Sequence, residues 1–166
     1  MNTKTEHIIN PVQILKNPVH FLAFGFGSGL APKAPGTAGT LVAIPLYLVL
    51  VAFLDLYAYL GIVVVAFVAG IYLCGKTATD LGVHDHGGIV WDEFVGFWIT
   101  MILVPVTWYW VLAGFLLFRF FDIVKPFPIA WLDQKVQGGF GIMLDDVIAG
   151  LYAAIVLQIA LFCTGF

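Results

Sequence analysis

Residues 94–118 read FVGFWITMILVPVTWYWVLAGFLLF, an uncharged stretch that decides how often the chain crosses a membrane. A membrane helix takes about 20 apolar residues, so the stretch is long for one helix and short for two. The residues VPVT lie in its middle, at 104–107. Half of the stretch is about 12 residues, or roughly 18 Å of helix, against a hydrocarbon core of ~30 Å. Two helices would therefore have to extend into the flanking segments GGIVWDE and RFFDIV.

The composition indicates a membrane protein. Of the 166 residues, 61% are hydrophobic and only 10% are charged, and the mean hydropathy is +1.02. A soluble domain is typically about a quarter charged. A net charge of -3 with a single arginine excludes a nucleic-acid partner. No linker divides the chain, so we expect one integral-membrane domain over residues 1–166, with its N-terminus retained.

Charge placement predicts the topology. Three further uncharged runs occupy residues 40–54, 56–75 and 147–166. All basic residues lie outside the uncharged runs, in three segments of the chain. The positive-inside rule places these three segments in the cytoplasm. The loops on both sides of residues 94–118 then share one side of the membrane, so this stretch must cross twice or dip in and return. We predict an all-α, polytopic bundle of about five membrane helices, with four helices and a re-entrant hairpin as the alternative.

Two similar sequence motifs each contain an adjacent pair of acidic residues. GGIVWDEFVG spans residues 87–96 and GIMLDDVIAG spans 141–150, so Asp92–Glu93 corresponds to Asp145–Asp146. Each pair precedes an uncharged run, and carboxylates at the start of a helix can serve as caps. Two carboxylates for each helix exceed what capping needs. The same predicted cytoplasmic layer also contains Asp85, Asp122 and Asp133.

Gathered carboxylates repel one another unless a cation joins them. Oxygen ligands of this kind favour Mg²⁺, which commonly bridges to a phosphate. The sequence therefore predicts a Mg²⁺ site among Asp92, Glu93, Asp145 and Asp146. It leaves open which member of each pair binds the metal, because neighbours on a helix point about 100° apart.

Two segments are candidates for holding a phosphate. In FRFFDIVKPFPI, residues 118–129, Arg119, Asp122 and Lys125 are spaced for ion pairing on a helix that Pro126 ends. This is either an interfacial ion-pair ladder or a place where Arg119 or Lys125 grips a phosphate.

The second segment is rich in glycine. GFGSGLAPKAPGTAGT, residues 25–40, lies just ahead of the first membrane helix. It is either a flexible connector or a cradle whose backbone N–H groups approach an anion. In the second case Ser28, Lys33 and Thr37 would assist.

Three motifs together resemble the bacterial phosphatidylglycerophosphatase A family. They are the glycine-rich segment 25–40, GVHDHGGIVWDEFVG at 82–96, and FRFFDIVKPFPIAWLDQKVQGGFGIMLDDVIAG at 118–150. The resemblance covers residues 21–150. It implies a Mg²⁺-dependent enzyme of the inner membrane that removes the terminal phosphate of phosphatidylglycerophosphate during phospholipid synthesis. The charge pattern predicts that its active site faces the cytoplasm.

The resemblance fits the carboxylate layer, because a lipid phosphate lies at headgroup depth. Mg²⁺ would polarise the phosphoryl oxygens and activate a water, or position a carboxylate as nucleophile. We expect Asp92, Glu93, Asp122 and Asp146 to be catalytic. The bilayer and the lipid are the expected partners, and the sequence points to no protein partner. The alternative function is a carboxylate-bearing ion transporter or a non-enzymatic membrane scaffold.

Overall fold

The computed structural model describes residues 11–83 and 86–165, and in these residues it is all-helical, as predicted. One 3₁₀ turn, Ser28–Leu30, precedes the long helices. The α-helices are α1 (Pro11–Lys16), α2 (Pro18–Ala23), α3 (Pro35–Phe53), α4 (Leu56–Leu81), α5 (Trp91–Thr100), α6 (Trp108–Val124), α7 (Ile129–Lys135) and α8 (Gly138–Thr164).

Three described helices are long and apolar enough to cross a membrane: α3, α4 and α8. Their outward faces are apolar, and Val64, Val68 and Ile159 each expose about three fifths of their surface. Exposed apolar faces on this scale suit lipid rather than water. Between α3 and α4, Asp55 caps α4 by accepting a hydrogen bond from the N–H of Ala58 at 2.8 Å. Asp55, the charged residue between the uncharged runs 40–54 and 56–75, therefore marks the turn from α3 to α4.

The uncharged stretch 94–118 folds as a hairpin of two shorter helices. α5 has 10 residues and α6 has 17, which correspond to about 15 Å and 25 Å of helix. α6 includes all of RFFDIV, as expected, and ends at Val124, just before Pro126. α5 begins at Trp91 and so takes only the WDE of the preceding segment. The total of five membrane spans stays a prediction.

α5 is the central helix of the bundle. Every residue from Glu93 to Thr100 is buried, because α3, α4, α6 and α8 all pack around α5. The side chains of Tyr59 and Trp98 lock this packing by donating to backbone carbonyls, Tyr59 to Trp98 at 2.7 Å and Trp98 to Ala43 at 3.1 Å. A buried aromatic side chain with a polar tip needs such a partner.

The loops gather at two ends of the bundle. At the end where α5 begins, which we call the site end, the N–H of Val90 donates to the carbonyl of Ala23 at 2.9 Å, and α8 begins beside Gly75 of α4. At the far end, Asp55 and Val104 line a common cavity. The loop after α4 and the loop after α6 therefore lie at the same end of the molecule, which is the arrangement that the charge pattern predicts.

Labelling from the two sides of the membrane tests the topology. In a variant with Cys74→Ala and Cys163→Ser, we expect Lys33→Cys and Gln134→Cys to react only from the cytoplasm, because basic residues are retained there. Leu103→Cys, at the far end, should react from outside with an impermeant maleimide. A Leu103→Cys variant protected from the outside reagent would instead favour the re-entrant hairpin.

Candidate active site

Three carboxylates converge at the site end of α5 and α8. Asp92 and Glu93 lie in the first turn of α5, and Asp146 comes from α8. One oxygen atom from each lies within 4.8 Å of the other two. Glu93 and Asp146 are only 8% and 3% exposed. We call these three residues the carboxylate cluster.

The two similar motifs, residues 87–96 and 141–150, lie together because small residues allow α5 and α8 to come into contact. A Cβ atom on Gly150 would lie 2.4 Å from the carbonyl oxygen of Gly96. A Cβ atom on Gly96 would lie 2.8 Å from the carbonyl oxygen of Asp146. Close backbone approach at small residues is the usual way that membrane helices associate. The helices run parallel here, so the acidic residues just before the two glycines become neighbours.

The expectation that both acidic pairs begin their helices is wrong for the second pair. α8 starts at Gly138, and its N-cap is Gln137. Asp145 and Asp146 are therefore two turns inside the helix, where carboxylates do not cap it. The start of α8 was not predicted because the preceding GGFGIML contains glycines, which weaken a helix. In the structure, Gly139 is needed for the contact of α8 with Ile71 and Gly75 of α4.

Asp145 and Asp146 point to different neighbours. Asp145 Oδ2 accepts from Lys125 Nζ at 2.6 Å, and Lys125 Nζ also lies 3.3 Å from Asp133 Oδ2. Lys125, predicted to bind phosphate, thus joins the end of α6 to α7 and α8. Burial lowers the pKa of Lys125, but the Asp145 and Asp133 carboxylates outweigh burial and hold that pKa above its ordinary value.

The pairing of Lys125 with Asp145 predicts a stability effect. Lys125→Met should lower the free energy of unfolding in detergent by up to about 3 kcal/mol, because a largely buried Asp145 loses its countercharge. Adding Asp145→Asn should restore part of this loss. Lys135→Met is the matched control, since Lys135 is exposed on α7. Equal melting temperatures for Lys125→Met and Lys135→Met would show that the pair carries no stability.

Arg119 reaches the carboxylate cluster from α6. Its Nη1 lies 2.5 Å from Asp122 Oδ2 and 3.7 Å from Glu93 Oε1. The predicted ion pair of Arg119 with Asp122 is therefore present. The Nε of Arg119 is buried and has no hydrogen-bond partner in the described part of the chain. An arginine in this state can still donate to an incoming anion.

The N-terminus of α3 closes the other side of the site. A Cβ atom on Gly36 would lie 2.2 Å from Glu93 Oε1 and 3.0 Å from Arg119 Nη1. The first N–H groups of a helix lack intrahelical partners, and they carry the positive end of the helix dipole. Thr37, a predicted phosphate ligand, follows directly and is partly buried.

The rest of the glycine-rich segment is used for packing. The Ser28 hydroxyl donates to the carbonyl of Gly25 at 2.8 Å. A Cβ atom on Gly29 would lie 1.9 Å from the carbonyl oxygen of Gly88, so this glycine allows two loops to touch. Lys33 is exposed. Thr37 is the predicted phosphate ligand of this segment that lies beside the site. Its neighbour Gly36 approaches Glu93 and Arg119.

The carboxylate cluster fits a divalent cation. Glu93 Oε2 and Asp146 Oδ2 are buried and accept no hydrogen bond from the described residues. Buried carboxylate oxygens normally have a donor or a cation beside them. Asp122 and Asp145 each have a basic partner, whereas no Lys or Arg nitrogen of the described residues lies within 4.0 Å of Asp146. The donor set is all oxygen, as Mg²⁺ prefers.

Gly36, Gly96 and Gly150 are site-forming residues that the sequence did not single out. Gly96 and Gly150 lie in helix interiors, where glycine costs about 1 kcal/mol relative to alanine, and Gly36 lies in the first turn of α3. A glycine within a helix, close to an acidic pair or directly after a proline, can indicate that another backbone approaches closely there. Asp85, assigned to the same acidic layer, lies outside the described residues.

The fold and site define a class of protein, a helical membrane protein with a buried carboxylate cluster beside an arginine. The family model described as phosphatidylglycerophosphatase A matches residues 21–161. The chain belongs to the phosphatidylglycerophosphatase A family and is a phosphatase that acts on phosphoric monoesters. The resemblance seen in the three motifs is confirmed, and the transporter and scaffold alternatives are set aside.

Curated relatives agree with the family assignment. The phosphatidylglycerophosphatase A of Haemophilus influenzae is 54% identical over 144 residues, which cover 86% of this chain and 88% of that protein. The phosphatidylglycerophosphatase A of Escherichia coli K12 is 53% identical over 144 residues, covering 86% and 83%. A Bacteroides thetaiotaomicron protein, provisionally named a phosphatidylinositol-3-phosphatase, is 43% identical over 148 residues, covering 85% and 92%. No solved structure matches the chain.

Proposed function

We propose that this phosphatase hydrolyses phosphatidylglycerophosphate to phosphatidylglycerol and inorganic phosphate in phospholipid synthesis. The observation that carries the proposal is the carboxylate cluster beside Arg119, set at one end of helices whose outer faces are apolar. A lipid phosphate can present its phosphate at this depth while its acyl chains stay in the bilayer. The two relatives at 53% and 54% identity carry the same activity in their names.

Mg²⁺ is the cofactor that the site would hold, through Asp92, Glu93 and Asp146. When bound, it would neutralise charge on the phosphoryl oxygens and lower the pKa of a coordinated water. Support comes from two buried carboxylate oxygens that no described donor satisfies. Asp145 is assigned to Lys125 rather than to the metal, because its Oδ2 lies 2.6 Å from Lys125 Nζ.

The phosphoryl group would be bound between Arg119 and the start of α3. Arg119 keeps a buried Nε–H without a partner, and the backbone N–H groups of Gly36 and Thr37 lie at the positive end of a 19-residue helix. Asp122 holds the guanidinium at 2.5 Å and so fixes its direction. Arginine and a helix N-terminus together are well suited to a phosphate dianion.

In the proposed reaction, water attacks phosphorus while the bond from phosphorus to the glycerol oxygen breaks. A carboxylate of the cluster accepts the proton of the attacking water. Arg119 binds the phosphoryl oxygens, where charge is greatest during transfer. The departing glycerol oxygen takes up the proton that the carboxylate accepted and leaves as the hydroxyl of phosphatidylglycerol, so the carboxylate returns to its starting state. The site end would face the cytoplasm, on the side where the basic residues are placed by the positive-inside rule.

Phosphate release from purified protein tests the proposed function. We expect release from phosphatidylglycerophosphate in detergent with Mg²⁺, loss of release in EDTA, and recovery when Mg²⁺ is restored. The comparison substrates are a phosphatidylinositol 3-phosphate and phosphatidic acid, which share the phosphomonoester but differ in headgroup. Faster turnover of the inositol lipid would overturn the substrate assignment, and unchanged turnover in EDTA would overturn the metal assignment.

A further inference from the structure

We propose that the groove between α3 and α6 is the acyl-chain site through which the lipid substrate reaches the phosphate-binding residues. This inference rests on the proposed function and adds to it the route and the anchoring surface for the lipid. The groove has a volume of about 430 Å³, and apart from Thr107 its lining side chains are apolar or aromatic.

Both walls of the groove lie on helix faces that lead to the candidate active site. On α3, Leu41, Ile44 and Leu48 line it, at helical spacings that continue back to Thr37. On α6, Trp108, Leu112 and Phe115 line it, at spacings that continue forward to Arg119. Residues spaced by three and four share one face of a helix. Each apolar stripe therefore ends at a residue of the phosphate-binding site.

The direction and length of the groove suit a lipid of the cytoplasmic leaflet. The two helices touch at the site end, where Gly36 meets Arg119, and the groove extends from there toward the far end. From Thr37 to Leu48 the helix rises about 16 Å, close to half of the ~30 Å hydrocarbon core. A lipid with its phosphate at Arg119 would therefore extend its acyl chain along the groove to the bilayer centre.

The groove is open to the bilayer along its side. Leu41, Leu48 and Leu112 are each between 40% and 53% exposed. An acyl chain can therefore enter the groove from the bilayer without crossing the protein. A second apolar groove lies between the end of α5 and α8 and includes Ile155. Its wall on α8 carries Gln158, which is bound to the carbonyl of Ile102 at 3.0 Å. Neither wall of this second groove includes α3 or α6, so it provides the matched control.

Filling the groove should separate binding of the chain from binding of the phosphate. We expect Ile44→Trp and Leu112→Trp to raise KM about tenfold for a long-chain phosphatidylglycerophosphate. The same variants should keep the wild-type kcat/KM for a water-soluble short-chain analogue. Ile155→Trp should leave both substrates unchanged. Equal losses on both substrates, or no loss on either, would overturn the groove assignment while the wild-type enzyme remains active.

Crosslinking gives a readout that does not depend on turnover. A phosphatidylglycerophosphate with a diazirine in its acyl chain should label α3 and α6 within the groove, and excess unlabelled substrate should suppress that label. Labelling at Ile155 reports bulk lipid and should not respond to competition. Labelling of the two grooves that responds equally to competitor would overturn the proposal. A wild-type protein that releases no phosphate from any lipid phosphate would instead overturn the proposed function, and the groove assignment with it.

Discussion

Asp146→Asn and Glu93→Gln should each lower kcat by about a thousandfold or more, the largest effect expected for any single substitution in the chain. Both side chains are buried in the carboxylate cluster. Each substitution replaces a carboxylate with a neutral amide of nearly the same size. The Asp146 side chain sits inside α8, so a lost helix cap cannot explain its effect.

Two further measurements assign the cause of that loss. Mg²⁺ should raise the melting temperature of the wild type in detergent and should fail to raise that of Asp146→Asn. In EDTA, Asp146→Asn should melt no lower than the wild type, because it removes one of several crowded carboxylates. Asp80→Asn is the control. Asp80 lies at the site end but pairs with Lys76 and with His20 at 3.0 Å. Wild-type turnover in both cluster variants would place the metal elsewhere.

Gly36→Ala should lower kcat/KM by about a hundredfold while leaving the fold intact. The added Cβ would lie 2.2 Å from Glu93 Oε1 and about 3 Å from the Arg119 guanidinium, so both side chains must move. Alanine is the better helix former, so α3 itself should not be weakened.

Gly61→Ala provides the matched control for Gly36→Ala. Gly61 also lies within a long helix, and a Cβ atom there would have no neighbour within 4 Å. We expect Gly61→Ala to keep wild-type turnover with equal or higher stability. If Gly36→Ala matched Gly61→Ala in turnover, the contact of α3 with Glu93 and Arg119 would have no role in the reaction.

Much of the helix layout could be predicted because it depends on local properties. The charge-free runs, Asp55 between two of them, and Pro126 after α6 are visible in the sequence, and each acts on the chain next to it. The start of α8 was not predictable in this way. Glycines 138, 139 and 141 are unfavourable in an isolated helix. Gly139 is explained by its contact with Gly75 of α4, Gly141 by its contact with the Val136 carbonyl, and Gly138 by its φ of +73°.

The sequence by itself determined that this is a membrane-embedded helical protein of a phosphatase family, and it identified two acidic pairs and one arginine as candidate site residues. Those conclusions need only hydrophobic runs, charge and motifs. Tertiary structure alone decided that Asp146 joins Asp92 and Glu93 while its neighbour Asp145 turns to Lys125. Adjacent side chains on a helix point about 100° apart. Which of them enters the site therefore depends on how α5, α6 and α8 pack around that turn, and this packing is set by glycine contacts far apart in the chain.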